Sequence, residues 1–267
     1  MSLRFSIIIT ILSLTIFGFT LKKNKLSDPE KEKVLLEIVK YVVERGHYNS
    51  IDLDDNFSVK IFDDFISKLD PQKRFFTVND IRQLNRYKYK IDDQIKNYQL
   101  EFFEETYKTY NQRVSDAKLF VDKVFETDFD FSENEFIDLN NDSIPFSIGK
   151  NQLFERWRKQ IKYSVLDIVT QRYSSDSLDF NEIKINAIST VKKNTDVFFD
   201  YANELDRDDW FSVFVNSFVS QFDPHTFYFK PDDKEKFDVS ISGKFDGIGA
   251  RLSLSLIHIS EPTRLER

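Results

Sequence analysis

The sequence contains no cysteine, one methionine and three histidines, and only six glycines and six prolines among its 267 residues. Without cysteine there are no disulfides and no thiolate-bound zinc, and the redox compartment is left open. His47, His225 and His258 are too few for a multi-histidine metal centre. A surplus of positive charge is missing too. The net charge is −7 and the isoelectric point near 5.2, so the chain lacks the basic face of a nucleic-acid binder. With so few glycines and prolines, each one marks a position.

Aromatic residues are abundant, with 28 Phe and 11 Tyr, and charged residues make up 31% of the chain. That apolar content suffices for a large core, so the body of the chain is folded, as one large or two small domains. At the N-terminus, Arg4 precedes the apolar run Phe5–Leu21. Its length suits the apolar region of an export signal better than a bilayer span. No A-x-A cleavage site follows, so residues 1–21 are read as a signal peptide or an uncleaved N-terminal anchor. Arg4 on one side and Lys22, Lys23 and Lys25 on the other leave the orientation undecided.

Helical signals follow in series. Ser27-Asp28-Pro29-Glu30 reads as a helix start, with Val34, Leu35, Ile38, Val39, Val42 and Val43 at helical spacing and Gly46 as the stop. His47 reads as a polar residue just past the helix end. Asp52, Asp54 and Asn56 alternate as in a calcium loop, but Phe57 stands where that loop needs glycine, so a helix-capping loop is expected. Asp128 and Asp130 fail the same test, with Glu133 at the glycine place. Residues 58–69 form an amphipathic helix that Pro71 ends, and Thr77–Asp80 opens another as a capping box. Residues 87–125 read as one long helical stretch whose aromatic stripe is core. After an aperiodic segment at 128–148, helices are expected over 151–173, 179–205 and 207–222, with a short one over 231–238.

The segments 65–80 (FISKLDPQKRFFTVND) and 218–233 (FVSQFDPHTFYFKPDD) echo each other. Asp70-Pro71 matches Asp223-Pro224, and the pair Phe75, Phe76 matches Tyr228, Phe229. In each copy proline ends a helix, aspartate is placed to accept the amides of the turn, and two aromatics pin the turn onto the bundle. From Val239 the pattern alternates, and Phe245 to Leu254 reads as a glycine-spaced loop entering a strand. The fold class is therefore mainly α: a helical domain over 27–238, then the opening β element of a second domain over 239–253. Residues 254–267 resemble translated adaptor sequence and are read as non-native.

Asp223-Pro224-His225-Thr226 with Phe227-Tyr228-Phe229, followed by Gly247-Ile248-Gly249-Ala250, resembles the tail-specific, or carboxy-terminal processing, proteases. Leu69-Asp70-Pro71 with Phe75-Phe76 and Asp80 resembles an earlier motif of the same family. The resemblance implies an exported, periplasmic serine endopeptidase with a Ser-Lys dyad, either free or anchored to the inner membrane through residues 1–21. It implies protein or peptide substrates with apolar C-termini, recognised by a PDZ domain that begins near residue 239. The carboxylate-binding loop falls on Gly247, Ile248, Gly249 and Ala250, where glycine lets successive amides converge on an anion. No position here inherits the catalytic Ser or Lys, no cofactor is called for, and membrane contact is expected only through the N-terminal segment. A rival reading is an exported, non-enzymatic helical interaction module.

Overall fold

The computed structural model describes residues 28–140, 144–173 and 179–242. The N-terminal apolar run, the loop Gly247–Ala250 and the C-terminal tail lie outside the described residues. The described residues form α1 (Asp28–Gly46), α2 (Asp55–Leu69), α3 (Val78–Leu84), α4 (Ile91–Lys96), α5 (Glu101–Phe125), α6 (Lys150–Tyr173), α7 (Phe180–Glu204), α8 (Arg207–Val219) and α9 (Pro231–Ser242). A single 3-10 turn, Asn85–Tyr87, follows α3. No strand is found among the described residues, which matches the mainly α expectation.

Capping residues set the helix starts, and α2 opens at Asp55, three residues before the start expected at 58. Asp54 caps α2 by accepting from the Phe57 amide at 2.8 Å, the structural role of the would-be calcium loop. Thr77 and Asp80 form the expected capping box of α3, and Asp206 with Asp209 forms a second one at α8. Each such cap contributes about 0.5–2 kcal/mol by satisfying amides that the first turn leaves without partners.

The long helix α5 is the spine. It packs against α3, α8 and the α6–α7 hairpin, and its Phe102 and Phe103 meet Phe62 and Phe65 of α2. The core along it is largely phenylalanine. Phe65, Phe102, Phe103, Phe211 and Phe214 are all buried, with ring centroids 5.4 Å apart for Phe65–Phe214 and for Phe103–Phe211. Phe57, Phe218 and Phe222 form a second group, and Phe75, Tyr110, Trp157 and Phe198 a third. Burial of each such ring stabilises the fold by roughly 1.5–3 kcal/mol.

Three expectations are corrected. Residues 87–125 are not one helix: the chain breaks between α4 and α5, where Tyr98 has a φ of 55°. Gln94 stabilises the break, because its side-chain oxygen accepts from the Phe102 amide and its carbonyl accepts from Gln99. On α1 the buried apolar residues are Leu36 and Val43, whereas Val34, Ile38 and Val42 face outward. Finally, Val239–Ser242 completes α9 rather than beginning a strand. A four-residue alternation is too short to outweigh a helix already under way from Pro231, braced by the Lys234–Asp238 pair one turn apart.

Candidate functional site

The two Asp-Pro turns sit at helix ends and differ in depth. In the first, Asp70 is buried, and its carboxylate accepts from the amides of Arg74, Phe75 and Phe76 at 2.8, 2.9 and 2.8 Å. Burial pushes the Asp70 carboxyl above its ordinary range, and the three amides act against that push. Lys73 takes a φ of 49° in this turn, a left-handed backbone uncommon for a side chain of its kind. Helix α6 holds the strained turn down: Arg156 donates to the Lys73 carbonyl, and Trp157 Nε1 donates to the Arg74 carbonyl at 2.9 Å. The Arg74 guanidinium lies 4.6 Å from the Trp157 ring and 4.5 Å from that of Phe198. Phe75 and Phe76 are both buried, so this copy is pinned as expected.

The second turn is shallow. Asp223 accepts from the His225 amide at 2.6 Å and from the Tyr48 hydroxyl at 2.6 Å. His47 Nε2 lies 3.2 Å from Thr226 Oγ1, and Asn49 Nδ2 donates to the Phe222 carbonyl at 3.1 Å. His47, Tyr48 and Asn49, just past α1, thus form the receptor for the Asp223–Thr226 turn. Sequence reading missed this, since the partners are separated by 173–179 positions and carry no local signal. Asn216 of α8 fixes the exit from the turn, accepting from the Tyr228 amide at 2.8 Å and donating to its carbonyl at 3.0 Å. Of the second aromatic set Tyr228 is partly buried, while Phe227 and Phe229 stay exposed.

A Ser-Lys pair does occur, and its setting argues against catalysis. Lys68 Nζ lies 3.4 Å from Ser217 Oγ. A nucleophile must reach substrate, and Ser217 is fully buried, with its hydroxyl bonded to the Val213 carbonyl. A base lysine must be desolvated, and Lys68 is partly exposed and ion-paired with Asp64 at 2.6 Å. No group of His, Asp and Glu suited to a metal ion is found among the described residues. His225 is exposed at the turn, and its backbone rather than its ring makes the turn's hydrogen bond. The four residues Gly247–Ala250 lie outside the described residues, past the end of α9.

Residues 38–232 match the family model described as the tail-specific protease N-terminal domain. The chain belongs to this family. The match begins inside α1 and ends two residues into α9, so it takes in both Asp-Pro turns. The chain is also similar to the tail-specific protease of Haemophilus influenzae (strain ATCC 51907 / DSM 11121 / KW20 / Rd), 24% identical over 237 residues. That alignment covers 87% of this chain and 33% of the relative, so the chain spans about a third of that protein's length.

Proposed function

We propose that this chain is the N-terminal part of an exported tail-specific serine endopeptidase, acting as a helical scaffold that positions and gates the domains after it. The observation that carries the reading is the family match over 38–232, with the spaced glycines of Gly247–Ala250 beginning 15 positions after it ends. Those residues begin a PDZ domain, in which the substrate's last strand adds to a sheet edge. Glycine at 247 and 249 allows the amides to converge on the terminal carboxylate, and Ile248 faces the pocket for the terminal apolar side chain. The Ser-Lys dyad belongs to a catalytic domain outside this chain. There the lysine, kept neutral by desolvation, takes the serine proton as the serine oxygen attacks the peptide carbonyl. The site of action is the periplasm, with residues 1–21 serving as export signal or anchor. No helix among the described residues is long and apolar enough to cross a membrane.

Fluorescence anisotropy on the full-length protein tests the reading. A peptide ending in a free apolar residue should bind at least about tenfold more tightly than its C-terminally amidated twin, the difference that capture of one carboxylate supplies. Equal affinity for the two peptides would overturn it.

A further inference from the structure

Helix α9 buries none of its described side chains, although it carries an apolar face. Phe237 is 42% exposed and Ile241, one turn on, is 70% exposed. Phe229, from the segment leading into α9, stacks on Phe237 with ring centroids 4.8 Å apart, and Phe227 lies 6.3 Å from Phe229. Four large apolar residues thus share one outward patch at the end of the described chain. Isolated helices shorter than about 12–15 residues are marginal in water, and most helical stability in proteins comes from packing an apolar face. At 12 residues, with that face open, α9 needs a partner.

We propose that this patch is the seat of the chain's own continuation: Phe245 packs on it and fastens the following domain to the helical one, leaving the Gly247–Ala250 loop free for substrate. Charge does not oppose the docking, because the patch itself is uncharged. Its base is anchored to the bundle, where Lys230 pairs with Asp209 and Asn216 clamps Tyr228. Phe245 lies four positions past Ile241 and cannot stray more than about 14 Å from it. A tether that short gives Phe245 an effective concentration of order millimolar or above, far beyond what a free partner reaches. This inference rests on the reading that a further domain follows, and it adds where that domain is held.

Hydrogen exchange on the full-length protein tests it. Amides of residues 231–242 and the amide of Phe245 should be protected together. The double variant Phe237→Ser, Ile241→Ser should speed exchange at both places by at least about tenfold while α2, α5 and α8 keep their protection. Phe237→Leu should retain most of the protection, which separates lost packing from lost helix. If the double variant leaves Phe245 unchanged, or if protection of α9 vanishes on dilution so that a second copy is the occupant, the proposal is overturned. The peptide measurement above keeps the two ideas apart. Discrimination of the free carboxylate with no exchange response would sink the docking alone, and the converse would sink the protease reading alone.

Discussion

Tyr48 donates its hydroxyl to the Asp223 carboxylate at 2.6 Å, joining the end of α1 to a turn 175 residues further along the chain. The bond holds the Asp223 carboxyl below its ordinary range, with the His225 amide adding to the effect. A depressed carboxyl contributes stability above its unfolded value that is lost as pH falls through the folded one. In Tyr48→Phe the Asp223 midpoint should rise toward the ordinary range, read by carboxyl NMR titration. An unmoved midpoint would mean that the turn is not docked there.

The two Asp-Pro turns should respond unequally to the same change. Asp70→Asn turns one acceptor oxygen into a donor facing buried amides, so it should cost about 1–3 kcal/mol, since a buried donor left unpaired keeps its full desolvation penalty. Asp223→Asn, at a shallow turn, should lower the melting temperature by much less than Asp70→Asn. Differential scanning calorimetry of both variants makes the comparison.

Arg207 ties three helices together. It meets the fully buried Glu32 of α1 at 2.7 Å through two nitrogens and also reaches Glu104 of α5. Burial raises the Glu32 carboxyl above its ordinary range even with Arg207 opposing it. Arg207→Met strands that charge and should cost about 3–5 kcal/mol at neutral pH. A raised folded value means that stability is lost as pH rises through it, so the penalty should shrink when denaturant midpoints are measured near pH 4.

Phe214 packs on Phe65, Phe102, Phe103 and Phe211 at the centre of the bundle. Phe214→Ala should destabilise by about 3–5 kcal/mol through lost burial and the cavity it leaves. The exposed Phe227 marks the contrast, and Phe227→Ala should shift the urea midpoint by much less.

Helix existence was legible because caps and breakers are local signals: Asp54, Thr77, Asp179 and Asp206 all cap where the sequence placed starts or capping acids. The break before α5 was not, since Ile91, Ile95 and Phe102 keep helical spacing across it and only Gln94 betrays the turn through a hydrogen bond eight residues away. The inward face of α1 was misjudged for a related reason. Valine and isoleucine lie on several of its faces, and the ion pair of Glu32 with Arg207, set by tertiary structure, fixes which one turns inward. The Asp-Pro echo was legible as two turns, but their unequal depth depends on α6 covering the first, while the second meets the segment 47–49 and Asn216 of α8.

The most direct test of the account is proteolysis by the full-length protein of one folded reporter carrying either an apolar or a doubly acidic C-terminus. The account predicts degradation of the apolar-tailed reporter at a rate at least about tenfold higher, lost when Gly249→Val blocks approach to the terminal carboxylate. Equal degradation of both reporters, or unchanged selectivity in the Gly249→Val protein, would contradict it.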